Sequence, residues 1–337
     1  MKGRSKLFRR FLYSLALVAA GLVAALVLVE LSGRLGLWLL PAPGSGIGQS
    51  AQDMALDRAI NADNQARAAR HPFGFNDSAR SRQKPQGISR RVVVLGDSFV
   101  WGDGLAYGQA WPKKLEALFA GQAPSVEVMS WGRQGWSTKD ELEFLLTYGK
   151  DFEIDLLIVG FVANDPDMGY SRPKLLDWRR ILGPGARLFP ALTSILENRL
   201  NNILYSSVLK GWGYPAWEQG LYSPENLTEY QGLLSDFAAA CRDLNLPVLF
   251  VLTPTSHEPY YGQLIDKAIP LFEAAGLDCF NLYPAVADEL GRLPREALRA
   301  GPANPHPGPV VTELFSREVF SFLTQSPKYA SMLENSP

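Results

Sequence analysis

The 337-residue chain is poor in the side chains that announce metal or redox chemistry: it has two cysteines, Cys241 and Cys279, and three histidines, His71, His257 and His306, none in an HxH or HExxH spacing. Two thiols make neither a disulfide framework nor a four-thiolate zinc site. Imidazoles so scattered speak against a metal centre, and no cofactor is called for. Charge of one sign is lacking too. Lys and Arg number 33 against 34 Asp and Glu, a net charge of −1, so there is no basic field of the kind that draws a chain onto nucleic acid. Neither GxxxxGK[ST] nor GxGxxG occurs, which removes the main support for nucleotide binding. No internal repeat is visible.

Long apolar runs are also scarce, with one exception. Lys2, Arg4, Lys6, Arg9 and Arg10, with no acid among them, lead into LYSLALVAAGLVAALVLV at 12–29. A helix of that length spans roughly 27 Å, close to the hydrocarbon thickness of a bilayer. Positive charge on the leading side keeps that end cytoplasmic. A cleaved signal peptide, the competing reading, has an apolar region of about 7–15 residues and a small-x-small site; this run is longer and passes through Glu30 and Arg34 into a second apolar patch. The pattern predicts a basic cytoplasmic segment at 1–10 and a retained transmembrane anchor at 11–31. It places the rest of the chain outside the cytoplasm, as in a single-pass bacterial inner-membrane protein facing the periplasm.

From Pro41 to Gly87 the composition turns to Pro, Gly, Ser, Ala, Gln and Arg, with one helical pattern at Ala51–Arg70, so 32–84 is expected to be a linker or stalk. RRVVVLGD follows. Consecutive apolar, mostly β-branched residues closed by glycine are the pattern of a strand buried on both faces. Similar runs recur at 125–129, 155–162, 247–252 and 277–282, separated by helical patterns at Trp111–Ala120, Lys139–Tyr148, Leu227–Leu244, Gly262–Ala275 and Val310–Leu323. Strand alternating with helix predicts right-handed βαβ units in a doubly wound α/β sandwich over 85–325, with a tail at 326–337. An aromatic-rich, mildly basic insertion at 166–223 is too long for a simple crossover, and such inserts serve as lids, substrate walls or peripheral subdomains.

Ligands of open parallel sheets bind beyond the carboxyl ends of the strands. After the first strand stand Asp97 and Ser98, a serine at a strand-to-helix turn that can present its hydroxyl outward. After the second come Gly132-Arg133-Gln134-Gly135, and after the third Ala163-Asn164-Asp165. A glycine N–H and an asparagine amide are the donor types of an oxyanion hole. Late in the chain Asn304-Pro305-His306-Pro307 precedes a helix, and His306 is the histidine placed to act as general base toward Ser98. His257, after the fourth strand, is a candidate substrate contact.

These four blocks, in this order over about residues 85–325, resemble the SGNH, or GDSL-type, hydrolases: GDS at Gly96–Ser98, a glycine block at Gly135, AND at Ala163–Asp165 and NPHP at Asn304–Pro307. The resemblance implies a three-layer, flavodoxin-like sandwich with about five parallel strands and a serine esterase mechanism. Ser98 is then the nucleophile, with the Ser98 N–H, the Gly135 N–H and the Asn164 side chain forming the oxyanion hole and His306 carrying the proton. Phe99 replaces the leucine of the family's name. Ser130 stands where relatives often have asparagine, a change expected to loosen that loop. The family's aspartate two or three residues before the histidine is replaced by Ala303 and Asn304, leaving Asn304 to orient His306 without a charge. In serine proteases the corresponding change costs roughly 10⁴ in turnover. Asn304→Asp is therefore expected to raise activity, unless another group already does the acid's work.

The expected function is hydrolysis of an acyl or acetyl ester on a carbohydrate or lipid through an acyl-Ser98 intermediate. The same residues suit an O-acyltransferase acting on a cell-wall or exported polysaccharide, fed by a membrane acyl-donor protein, because only the attacking hydroxyl differs. A scaffold that binds glycan without catalysis is the third reading.

Overall fold

A computed structural model describes residues 51–169, 178–196, 218, 220–255, 258–301 and 304–333, together with helical residues 21, 27, 28 and 30–32. Most of the expected anchor at 11–31 lies outside these residues, and no helix among those described is long and apolar enough to cross a membrane. The chain divides into two compact units, 1–45 with 171–217, and 46–170 with 218–337. In the first, three short helices (Trp178–Leu182, Gly185–Leu188 and Pro190–Ile195) are described. There the Leu192 N–H donates to the buried Glu30 carboxylate at 2.9 Å.

The second unit begins with α1 (Ala51–Arg70) and then follows the predicted alternation: β1 (Arg90–Gly96), α2 (Ser98–Trp101), α3 (Trp111–Gln122), β2 (Val126–Gly132), α4 (Thr138–Thr147) and β3 (Leu156–Phe161). After the insertion come α5 (Pro224–Asp243), β4 (Val248–Leu252), α6 (Pro259–Ala275), β5 (Asp278–Asn281) and α7 (Tyr283–Leu290). A hairpin of β6 (Arg299–Gly301) and β7 (Asn304–Pro307), then α8 (Pro309–Gln325) and α9 (Pro327–Leu333), complete it. The first five strands form one sheet in the order β2-β1-β3-β4-β5, and every pair is parallel. In that order the chain reverses direction between β1 and β3, where the crevice of a doubly wound sheet opens.

Period-two alternation splits each buried strand between two apolar layers. Val92, Val94, Val126, Val128, Leu156, Ile158, Leu249 and Val251 share one core cluster with Trp111, Leu115 and Phe119 of α3 and Val311, Leu314 and Phe315 of α8. On the opposite face Phe250 meets Phe237 of α5 and Phe272 of α6, and Phe161 meets Tyr230 of α5 and Phe272. The helices begin where the local chemistry supplies their free N–H groups with partners or removes them. Ser137 and Asp140 close a capping box on α4, and proline occupies the first turn of α3, α5, α6, α7 and α8.

Two boundaries differ from expectation. The stretch expected as a stalk folds onto the sheet domain from Asn64 onward. Phe75 is fully buried against Trp131, Trp136 and Phe144. Asn64 and Asn76 donate their side-chain amides to the Leu105 and Trp101 carbonyls. Asp77 accepts from the Ser130 N–H at 2.8 Å, from Lys113 Nζ at 2.8 Å and from the Tyr107 hydroxyl at 2.6 Å. Loop-like composition concealed this strap because its anchors are isolated residues without periodicity. The expected tail at 326–337 likewise contains α9, whose buried Tyr329 packs on Phe322 and donates its hydroxyl to Asp278. Cys241 and Cys279 are both free thiols.

Asp77 joins the strap to the domain electrostatically. Burial alone would raise its carboxyl, but Lys113, Arg80 and the Ser130 N–H outweigh that and hold it below the ordinary aspartate value. Asp77→Ala leaves Lys113 buried with Glu116 as its remaining acidic partner. A loss of about 3 kcal/mol in urea-unfolding stability is expected, the lower end of the range for breaking a buried pair. A change under about 0.5 kcal/mol, the surface-substitution range, would mean that the Asp77 charge does not hold the strap.

Candidate active site

The residues singled out on β1, β2 and β3 lie at neighbouring strand ends. Gly96 pairs with Gly132 on one side and Gly160 on the other, so Ser98, Gly135 and Asn164 each follow closely on one level of the sheet. Helix α2 rests directly on this glycine floor: a β-carbon at Gly132 would collide with the backbone of Val100 and Trp101. Asp97 caps the single turn by accepting from the Phe99 N–H at 2.8 Å, and Gly102, at φ 77°, closes it with its N–H on the Ser98 carbonyl. Ser98 is thus held at the first turn of a helix whose two ends are both capped.

The β6–β7 hairpin brings His306 to Ser98. Nε2 of His306 lies 2.9 Å from Ser98 Oγ, and Nδ1 lies 2.6 Å from Asn304 Oδ1. The Asn304 oxygen also accepts from the His306 backbone N–H at 3.1 Å, while its amide nitrogen donates to Asp103 Oδ1 at 3.2 Å. A backbone donor on one side and a carboxylate on the other leave the amide a single orientation, oxygen toward the imidazole. The proton of a neutral His306 therefore sits on Nδ1, and the Nε2 lone pair faces Ser98. Phe99 packs edge-on against the imidazole at 5.7 Å. Burial holds His306 below its ordinary value, and the Asp103 carboxylate pulls it part of the way back, so the ring is neutral at pH 7 and able to accept a proton.

Ser98, His306 and Asn304 are therefore brought together. Gly135 takes a left-handed φ of 78° and Asn164 is half-buried, each just past its strand. His257 and Ala303 lie outside the described residues. Ser130 does not loosen its loop. Its N–H binds Asp77 and its hydroxyl donates to the Val100 carbonyl at 3.2 Å, both buried.

Sequence reasoning missed three groups. Asp103, between Gly102 and Gly104, reaches Asn304 on one side, and its other oxygen accepts from Gln134 Nε2 at 2.7 Å. The signal was a lone acid between two glycines directly after the serine turn. The other two are Glu141 and Asp165, which with Asp97 form a buried acidic floor beneath the site, at 0%, 0% and 2% exposure. Asp165 accepts from the Val162 N–H at 2.7 Å and an Asp97 oxygen lies 3.2 Å from Ser98 Oγ, but both Glu141 oxygens and one Asp165 oxygen have no partner. Glu141 was visible as the acid in the apolar stripe Thr138, Glu141, Leu142, Leu145 of α4. Burial raises all three carboxyls, Asp97 to about 6, and mutual repulsion raises Glu141 and Asp165 further.

No protein-family model matches the chain, and no curated protein sequence matches it. Among solved structures it is similar to an α/β hydrolase from the metagenome of Lake Arreo, at 15% identity and a TM-score of 0.44 over 74% of this chain and 98% of that one. It is also similar to a lipolytic protein of the G-D-S-L family from Desulfitobacterium hafniense (14%, TM-score 0.42, 70% and 100%). An acetylxylan esterase from Geobacillus stearothermophilus is a third such structure (14%, TM-score 0.43, 69% and 93%).

The acidic floor makes stability fall as pH rises. Unfolded, Asp97 ionises near 3.8; folded, it keeps its proton to about 6. Across that window the folded state binds more protons, and rising pH favours unfolding. Glu141 and Asp165 extend the effect upward. Thermal unfolding at pH 5 and pH 8 is expected to give a lower Tm at pH 8 for the wild type, and a smaller drop for Glu141→Gln. Equal pH slopes in the two proteins would show that Glu141 carries no such strain.

Proposed function

We propose that the chain is a serine esterase of SGNH type, cleaving an acyl ester by way of an acyl-Ser98 intermediate. The observation that carries this reading is the unbroken chain Ser98 Oγ, His306 Nε2, His306 Nδ1–H, Asn304 Oδ1, with each contact between 2.6 and 2.9 Å. Ser98 Oγ attacks the ester carbonyl carbon while His306 Nε2 takes the hydroxyl proton. The negative charge then forming on the carbonyl oxygen meets the Ser98 N–H, the Gly135 N–H and the Asn164 amide, donors carried at adjacent strand ends. Collapse of the tetrahedral intermediate breaks the bond to the alkoxy oxygen, which leaves with the proton from His306. Water, deprotonated by the same nitrogen, attacks the acyl carbon and releases acid and free Ser98.

An ester of a carbohydrate or membrane lipid is the substrate class we favour. The basic, then uncharged, N-terminus supports a domain held at the outer face of a cytoplasmic membrane, where such esters are found. Whether a sugar hydroxyl replaces water at the second step depends on the acceptor supplied, not on the serine and histidine.

Reaction of the full-length protein in detergent with a fluorophosphonate tests the reading. Intact mass should show one adduct on wild type, none on Ser98→Ala, and labelling slowed about 100-fold or more on His306→Ala, the lower bound for general-base assistance. A folded wild type that stays unlabelled would favour a glycan-binding scaffold.

A further inference from the structure

Asn304 lacks the charge that a triad acid supplies, yet its amide is held as firmly as an acid's carboxylate would be. The half-buried Asp103 carboxylate accepts the Asn304 Nδ2–H at 3.2 Å and is itself held by Gln134 at 2.7 Å. Its backbone is tied to the nucleophile turn, because the Asp103 N–H donates to the Ser98 carbonyl at 3.1 Å. Gly104 continues the fit: it has φ 76°, and a β-carbon there would strike the Asn304 amide nitrogen. Asn64 and Asn76 clamp the carbonyls of Leu105 and Trp101 on either side of this loop. The acid is therefore placed relative to Ser98 and Asn304 by backbone rather than by a free side chain.

We propose that Asp103 is the acid of this site, displaced one amide outward, and that it acts on His306 through Asn304 as a positioning residue. The inference rests on Ser98 and His306 being nucleophile and base. The carboxylate keeps the Asn304 oxygen on Nδ1–H, which keeps the Nε2 lone pair on Ser98. Its charge, one residue removed, favours the imidazolium that forms when Ser98 gives up its proton. Asn304 passes on both effects because an amide polarised at its N–H accepts more strongly at its oxygen. Among the described residues the ring contacts Ser98 and Phe99 from α2 and Asn304 from its own hairpin, with Asp97 behind Ser98. Among the described residues Asp103 is the acid whose charge acts on it.

This arrangement reverses the expectation for Asn304→Asp. Made alone, that substitution would set a second carboxylate against Asp103 in place of the donor now there, and the two would repel. Asp103→Asn together with Asn304→Asp exchanges the two groups: the new amide at position 103 donates to a carboxylate that accepts directly from His306.

The test is a double-mutant cycle on the full-length protein, read by the rate of fluorophosphonate labelling at Ser98 and by the NMR titration of His306, assigned among three histidines with His306→Gln. Asp103→Asn is expected to slow labelling about tenfold or more, the usual size of an effect passed through a first ligand group, and to move the His306 titration to lower pH. Asn304→Asp should be no faster than wild type, and the exchanged double variant should recover to within about threefold of wild type or exceed it, a strong departure from additivity. Asp103→Asn that leaves both readouts in place, or a double variant whose defect is the product of the two single ones, overturns the relay. If wild type fails to label, the esterase reading falls by itself. The His306 titration then still decides the relay: a downward shift in Asp103→Asn supports it, and an unmoved titration refutes it.

Discussion

Everything at the site depends on how closely one helical turn can approach the ends of three strands. Gly96, Gly132 and Gly160 lie side by side in register, and helix α2 occupies the volume their missing side chains leave. A β-carbon at Gly132 would push the turn off the sheet, carrying Ser98 away from His306 and the Asp103 loop away from Asn304. The glycines therefore set the height of Ser98 above the sheet, and the caps at Asp97 and Gly102 set its direction. Once that height is fixed, a hairpin arriving from the far end of the chain can meet the serine at 2.9 Å. Overpacking by one methyl group typically costs about 1–3 kcal/mol, and here it would also part Ser98 from His306.

The same close approach explains the acidic floor. Loops after β1 and β3 and the first turn of α4 converge beneath Ser98 and leave no room for solvent around Asp97, Glu141 and Asp165. Three buried carboxyls cannot all ionise cheaply, so the floor holds protons at pH values where exposed acids have lost them. Its effect on stability runs opposite to that of Asp77, whose lowered carboxyl is stabilising above the ordinary aspartate range and loses that contribution in acid. One acid binds the strap to the domain by its charge, and the others are tolerated by remaining partly neutral. A site that accepts strain of this kind while satisfying its strap so fully is consistent with function set above stability at the strand ends.

Much of this was legible in the sequence, and the reason is geometric. Strands buried on both faces must be continuous apolar runs, so β1 and β3 stood out, and the chemistry of a parallel sheet collects at the carboxyl ends, so Ser98 and Asn164 could be found by looking just past them, and His306 from the NPHP block ahead of the last long helical pattern. What escaped was non-periodic. Phe75 and Asp77 lie in a stretch with the composition of a linker, and nothing local says that a phenylalanine flanked by glycine and asparagine will be fully buried. Tyr329 gave no sign that a terminal segment would return to cover Phe322. Asp103 looked like a turn acid because its partner is 201 positions away. Helix α4 was recognised, yet the meaning of Glu141 in its apolar stripe depended on knowing which acids it would meet.

Placing the acid one amide away from the histidine changes what the base can do. A carboxylate in direct contact raises the imidazole's proton affinity and, in a dry site, can keep the ring protonated at rest. Here burial lowers His306 and the remote Asp103 only partly offsets it, so the resting base is neutral. In the proposed reaction the ring begins each turnover with its lone pair free, but the imidazolium that forms is less stabilised than it would be beside a carboxylate. Such a site gives up driving force for proton removal and gains a base that stays available as pH falls. The amide also fixes orientation without flexibility in its charge, since its oxygen and nitrogen each have one side to face. Orientation and charge, which one aspartate usually supplies together, are here divided between Asn304 and Asp103, and it is the rigidity of the Gly102-Asp103-Gly104 turn that lets the division hold.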